Sequence, residues 1–425
     1  MKSELAIDAL RHRVTSMTSD GLTPARLAAL AQLDENGLPT TTHEDWKYTD
    51  ITELVDISNQ WLADGADIAP VSDDAIDGIT SQFDAAWLIV RNGIVDTDSV
   101  DNLRRSQIDV RLLSDAGTTP GFDAPLTDLN LALLRDGLAI RISAGSDASQ
   151  TIGILFIDRA VDEVGVSPTR ITIDMDANSS ANFIEYHASS GPEGHYANSV
   201  VELVLADNAS ANYVRIQNRD ASHNQTSRLT ATLGNASQFR HGAFDFGGKL
   251  VRNDLDIRLA GRDSLASFCG LYLAGEHQHI DNHTRVDHLV GPATSHQEYR
   301  GILTGAARCV WNGKAIVHAG ADGTDADQAN HNLLLSDKAE IDAKPELEIY
   351  ADDVKCSHGT TIGQLDANAL FYLRTRGLDE SSARQLLTRA FAQKIVAMSP
   401  IESIQETISA MVADRVEELI AGGRK

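Results

Sequence analysis

Cysteine is scarce in this chain. Its three cysteines, Cys269, Cys309 and Cys356, are far apart and odd in number. That fits a reducing compartment better than a disulfide framework, and no CxxC pair exists. Long apolar runs are also missing: nowhere do about 18 apolar residues follow one another, the length a helix needs to cross a bilayer. The opening MKSELAIDALRHRV mixes acids with bases and has no apolar centre of the kind a signal peptide carries. Together these absences predict a cytoplasmic protein with no membrane span.

Basic charge is short as well. Lys and Arg number 36 against 61 Asp and Glu, a net charge of −25. No Lys/Arg-rich run could follow a phosphate backbone, so nucleic acid is not an expected partner. No GxxxxGK[ST] loop occurs, and Gly247-Gly248 precede a strand-like segment where a phosphate loop would need a helix. The chain is therefore not expected to hydrolyse ATP. No dinucleotide fingerprint supports a flavin site on it either.

What is present points to several domains, because 425 residues exceed the common single-domain range. Ile7, Leu10, Val14 and Met17 recur at helical spacing, and Thr23-Pro24 starts a second helical run through Leu27, Leu30 and Ala31. The acidic stretch Ala69 to Asp77 reads as a loop. After it, Trp87-Leu88-Ile89-Val90 and Ile94-Val95 flank an Asn92-Gly93 turn, the pattern of a hairpin.

From residue 150 onward the texture changes to short alternating strands such as Ile171-Thr172-Ile173-Asp174-Met175. Their turns repeat: ANSSANFIEY, DNASANYVRI, GNASQFRHG and GRDSLASFCG place serines at Ser180, Ser210, Ser237 and Ser264, with a looser copy at Ser295. Those serines are 30, 27, 27 and 31 residues apart, the period of stacked coils that bury one another's apolar faces. A mainly β fold with a parallel β-helix core follows. Low aromatic content, 5%, suits narrow coils filled by Val, Ile, Leu and Ala.

Helical periodicity returns after Gly363. Asp366 precedes a helix through Leu370, Phe371, Tyr372 and Leu373 that Gly377 stops; a second, from Asp379, carries Ala383, Leu386, Leu387, Ala390, Phe391 and Ile395 on one stripe. Pro400 opens a third with Ile404, Ile408, Met411, Val412 and Leu419, which Gly422-Gly423 end. The expected divisions are an N-terminal helical and mixed domain over 1–150, the β-helix over 151–350, and a C-terminal helical domain over 351–425.

Three groups could carry chemistry. Eight of the fourteen histidines lie between His277 and His358. His277 and His279 would share a strand face, with His283 and His288 following, either as hydrogen-bonded residues on coils or as metal ligands whose set nothing nearby completes. Asp322, Asp325 and Asp327 could form a carboxylate site of a sugar-cleaving β-helix or a calcium loop, but position twelve from Asp322 is Leu333, so the EF-hand order fails. Cys356-Ser357-His358 is the sharper constellation: a thiol and an imidazole two positions apart on one strand face, both ligand types of iron–sulfur clusters. Two ligands are not four. Either another protein completes the set, or the pair is a packed cysteine beside a structural histidine. A thiolate–imidazolium catalytic pair is disfavoured because same-strand neighbours point in parallel.

Read together, EDWKYT (Glu44 to Thr49), DNHTRVDH (Asp281 to His288), GADGTDADQANHNLLLS (Gly320 to Ser336), PELEIYADDVKCSHG (Pro345 to Gly359) and FYLRTRG (Phe371 to Gly377) resemble the SufB/SufD family of iron–sulfur cluster assembly. The match runs in order across most of the chain. Gly359 after His358, where SufB proteins tend to carry an acidic residue, and the lack of an added N-terminal cysteine cluster favour the SufD branch over a SufB-like paralogue. The resemblance implies a right-handed parallel β-helix between helical domains and a non-enzymatic subunit of a complex with one SufB and two SufC ATPases. It further implies pairing with SufB through the C-terminal strands; separately, the exposed edge of a solenoid would allow a second copy to pair when the chain is isolated. A transient iron–sulfur cluster would form at that shared interface near His358 and Cys356, with no cofactor permanently bound and ATP used only through SufC. The helical region would dock SufC, offering Leu370, Phe371, Tyr372, Leu373, Arg376, Leu386 and Phe391.

Overall fold

The computed structural model describes residues 4–64, 70–105, 108–116, 124–147 and 150–422. The two expected opening helices form as α1 (Ile7–Ser16) and α2 (Thr23–Asn36), followed by α3 (Thr52–Asp64). Asp73–Thr80 is a helix too, α4, where a loop was expected; Ala69 lies outside the described residues. Ser72 caps α4 by accepting the Ala75 N–H at 3.4 Å, Asp73 and Asp74 sit in its first turn, and Ile76 is buried. Acidic residues there match the positive end of the helix dipole rather than marking a loop. The hairpin appears as β1 (Ala86–Arg91) and β2 (Ile94–Val95), joined by Asn92 and Gly93 at φ 52° and 73°. Two left-handed residues are what a twisted two-residue hairpin turn requires. Next come α5 (Thr97–Arg105), β3 (Asp109–Leu112), α6 (Pro125–Leu133) and β4 (Leu138–Ile142).

The solenoid strands follow: β5 (Ile152–Arg159), β6 (Gly165–Met175), β7 (Ser180–Ser190), β8 (His195–Leu205), β9 (Ser210–Asn218), β10 (Asn224–Leu233), β11 (Gln238–Asp245) and β12 (Leu250–Leu259). They continue through β13 (Ser264–Ala274), β14 (His279–His288), β15 (Ala293–Leu303), β16 (Arg308–Val317), β17 (Asp325–Leu334), β18 (Glu340–Ile349) and β19 (Lys355–Gly363). Odd strands from β19 to β5 stack in one sheet that ends on β1 and β2; even strands from β18 to β4 stack in the other, ending on β3. Consecutive strands thus alternate between sheets, so β5/β6 through β17/β18 make seven coils and β19 begins another. The ladders from β5 and β6 onward are parallel. They extend past residues 150 and 350, because β4 pairs with β6 and β19 with β17.

The corners explain the serine repeat. Asn178, Asn208, Ala236 and Asp263 turn the chain from the even to the odd sheet with φ between 52° and 60°. Asn and Asp tolerate this left-handed conformation better than other side chains. The next hydroxyls close the turns, Ser179 to Asp176 O at 2.6 Å, Ser237 to Gly234 O at 2.8 Å and Ser264 to Gly261 O at 2.7 Å. Ser180 stacks on Ser210, but Ser210 stacks on Gln238, so the repeat shifts by one position at Ser237.

Apolar side chains from both sheets fill the lumen, among them Phe183, Tyr213, Phe239, Phe268 and Trp311. Outside the odd sheet, α8 (Glu380–Val396) and α9 (Gln405–Gly422) cover Ile184, Val214, Phe244, Leu271 and Ile302; α7 (Ala367–Thr375) precedes them. Helices α1, α2, α3 and α6 cluster against Val166 and Tyr196 of the even sheet. Cover on both faces is the usual way parallel sheets are stabilised; α8 and α9 supply it to the odd sheet, while the even sheet is covered over β6 and β8 and carries charged residues such as Arg228, Asp256 and Lys314 on its outer face beyond them. None of the described helices is long and apolar enough to cross a membrane.

The EDWKYT and DNHTRVDH segments meet. Residues 44–49 lie across the outer face of the even sheet, with the Trp46 ring 4.2 Å from the Arg252 guanidinium, Asp45 O accepting from Arg252 at 2.8 Å, and Glu44 paired with Lys344 at 2.8 Å. Beneath them Asp281 accepts from Thr49 at 2.5 Å and from Arg252 at 2.6 Å, all three nearly inaccessible to solvent. Breaking a buried ion pair from one side strands the other charge. Asp281→Ala is therefore expected to cost about 3 kcal/mol, the lower end of that range because Asp254 still faces Arg252. Urea unfolding checks this, and an unchanged midpoint would contradict the buried arrangement.

Candidate functional site

Strand β19 closes the odd sheet and has a neighbour on one side only, β17. Its register sets Cys356 over Ala326, His358 over Gln328 and Thr360 over Asn330. Ala326, Gln328 and Asn330 are buried and alternate with more exposed neighbours, so they face the lumen. Cys356, His358 and Thr360 share that face one rung further out. Among the described residues no coil covers them: β18 is partly buried between its exposed ends Glu340 and Ile349, and β19 is almost wholly exposed, with Cys356 partly buried and His358 exposed.

Burial and then the Asp325 carboxylate push the Cys356 thiol above its ordinary pKa, while a backbone hydrogen bond from Ala326 pulls the other way. In the isolated chain it is a protonated thiol at neutral pH, and a metal ion would have to displace that proton. The other two cysteines are unsuited to ligation. Cys269 and Cys309 are inaccessible, and burial pushes Cys269 up to about 12 and Cys309 higher still.

The remaining sequence candidates disperse. His277 lies in a turn before β14, so it shares no strand face with His279. His279 bonds Thr49 Oγ1 at 2.8 Å, His283 lies 3.1 Å from Asp281, and buried His288 bonds Ser295 at 2.9 Å. Asp327 is paired with His296, Asp325 stands beside Cys356 and Asp322 sits exposed in the preceding turn. Asp325 and Asp327 thus share the outward face of β17 while Asp322 stands apart in the turn, so the three do not form one carboxylate site. Among the described residues no group of three or more His, Cys, Asp or Glu could hold a metal ion. Cys356 and His358 cannot enclose one alone.

A second exposed region lies on the helices. Asp366 caps α7 through the Asn368 N–H at 2.9 Å, and Gly377 at φ 96° stops it. No residue of α7 is buried; Phe371 is 70% and Tyr372 56% exposed, with Arg376 folded over the Tyr372 ring. Leu370 and Leu373 are partly covered. On α8 the buried stripe is Ala383, Thr388, Ala392, Ile395 and Val396, while Leu386 is 49% exposed. Phe391 is half-buried under Arg300, whose guanidinium lies 4.7 Å from the ring and donates to Phe391 O at 2.9 Å. Thr388 was missed in the sequence because a hydroxyl residue does not register in an apolar periodicity.

Residues 157–391, more than half of the chain, match the family model described as SUF system FeS cluster assembly, SufBD core domain. Over whole chains the protein is similar to the iron–sulfur cluster assembly protein SufD of Escherichia coli, 29% identical over 392 residues covering 91% of each. It is also 29% identical over 430 residues to the SufBD family protein slr0076 of Synechocystis, covering 95% of this chain and 93% of that one. SufD of Bacillus subtilis is 24% identical over 297 residues, 69% and 67% of the two chains. With its two-sheet solenoid between helical regions, this chain belongs to the SufBD family of the SUF iron–sulfur cluster assembly system, on its SufD-like side.

Proposed function

We propose that this chain is a scaffold subunit that pairs with SufB through its terminal β-helix strands and there lends His358, with Cys356 beside it, to an iron–sulfur cluster built at the shared edge. The observation that carries the reading is an incomplete ligand pair on an exposed, one-sided strand. Two donors of the right kind share one face at the mouth of the lumen, and the backbone beside them is free to continue the ladder with another chain. The cluster is cargo, assembled and passed on, so an unfinished ligand set suits it better than an enclosed one. The same open edge would accept a second copy of this chain when SufB is absent.

Exposed Phe371, Tyr372 and Leu386 support docking of a SufC ATPase on α7 and α8, since each presents apolar surface that the chain does not bury. ATP would then act on this subunit only through that partner. Co-purification with SufB and SufC, followed by iron and sulfide determination, tests the reading. Failure of the terminal-strand edge to enter the complex would defeat it.

A further inference from the structure

Under the terminal strand the lumen is lined by amides. The inward row of β17 reads Ala326, Gln328, Asn330 and Asn332, all nearly inaccessible; earlier odd strands mix buried charged and polar residues such as Glu185, Arg215 and Asp245 with Phe239, Phe268 and Tyr299, whereas here neutral amides fill three successive inward positions. Burying amides costs free energy unless their hydrogen bonds are made. Here they are made, and those of Asn330 and Asn332 form one connected set with Tyr272. Asn332 donates to Asn330 Oδ1 at 2.5 Å, Tyr272 OH donates to Asn332 Oδ1 at 2.5 Å, and Asn330 Nδ2 donates to Tyr272 OH at 3.2 Å. Gln328, directly below His358, bridges to the opposite sheet, its nitrogen 2.9 Å from Gly313 O and its oxygen 3.1 Å from Ala315 N.

Two glycines make room for these amides. A Cβ at Gly301 would fall 2.3 Å from the Tyr272 ring and 2.5 Å from Asn332 Oδ1; one at Gly313 would fall 2.5 Å from Trp311 and 3.0 Å from the end of the Gln328 amide. The connected set reaches β19 through one side chain. Thr360 donates to Asn330, with O and Oδ1 both 3.2 Å away.

We propose that Asn330, held by Tyr272 and Asn332, is a positioning residue that anchors the terminal strand through Thr360 and so fixes where His358 and Cys356 stand over the lumen mouth. The inference rests on the reading of His358 and Cys356 given above. A strand with a single ladder frays more readily than one between two neighbours, so a side-chain tie two residues from His358 has leverage there. A polar floor also keeps its shape only while every bond in it is made, which ties Thr360 to the position of a buried amide cluster rather than to solvent.

Thr360 is exposed, so its variants should fold. Thr360→Val keeps the shape and removes the hydroxyl; Thr360→Ser keeps the hydroxyl. In the full chain, amide exchange across β19 should rise roughly 3- to 10-fold in Thr360→Val, the worth of one hydrogen bond, and stay at the wild-type rate in Thr360→Ser. In the complex with SufB and SufC, Thr360→Val should alter the visible absorption and electron paramagnetic resonance spectra of the cluster, and Thr360→Ser should restore both. The proposal is overturned if the two variants behave alike, or if exchange quickens with cluster spectra unaltered. Failure of the underlying functional reading looks different, since His358→Ala itself would then leave the cluster unchanged.

Discussion

Replacing His358 with alanine should leave the complex with SufB and SufC intact and bring its cluster content down to the background of an unloaded complex. Assembly should survive because the side chain is exposed at the lumen mouth and the β17–β19 ladder is made by backbone groups. Loading should fail because the imidazole is the exposed donor at this edge, whereas the Cys356 thiol is partly buried and held protonated. Cys356→Ser should reduce loading less than His358→Ala, since a thiol that must first lose a costly proton is the weaker contributor. Iron and sulfide determination on purified complexes decides between them, and a fully loaded His358→Ala complex would refute the assignment.

The second large effect is expected on the helices. Phe371→Asp combined with Leu386→Asp should weaken SufC binding by about 2 kcal/mol or more, roughly 30-fold, the usual scale for removing a large apolar anchor. Neither substitution should disturb the solenoid, because Phe371 is largely exposed and Leu386 lies off the packed stripe of α8. Phe391→Ala should behave differently. Its ring lies under Arg300, so the variant should destabilise the helix–sheet contact as well as affect docking. Calorimetric titration of SufC with these variants, beside their thermal unfolding midpoints, separates docking from packing. Unchanged affinity in the double aspartate variant would remove α7 and α8 from the interface.

The coils were legible in the sequence because their corners demand left-handed backbone, which Asn178, Asn208 and Asp263 accept, and because alternating apolar residues mark a lumen. The Asn-Gly hairpin was readable for the same reason. Helix α4 was not, since Asp73 and Asp74 look like a solvated loop unless Ser72 is recognised as a cap. Periodicity identified α8 but misplaced its buried face: it locates an apolar stripe without saying what covers it, so Leu386 was grouped with residues that pack while Thr388 was overlooked.

The site was legible in part. Spacing alone put Cys356 and His358 on one face, but it could not say that this face points into the lumen or that the strand is the last of its sheet. The polar floor was hidden altogether. In β17 the buried row is Gln328, Asn330 and Asn332, an inversion of the apolar-inside rule that only the register with Tyr272 and Thr360 makes intelligible. The EDWKYT segment was likewise visible as a motif but not as a strap, because its partners Arg252 and Asp281 lie about two hundred residues away in sequence.

The most direct measurement places 15N-labelled histidine in this chain alone, assembles it with unlabelled SufB and SufC, loads and reduces the cluster, and records pulsed electron paramagnetic resonance. A 15N hyperfine coupling from a directly bound imidazole, lost in His358→Gln, is the expected result. A loaded, reduced cluster with no coupling to any histidine of this chain would contradict the assignment of His358 at the shared edge.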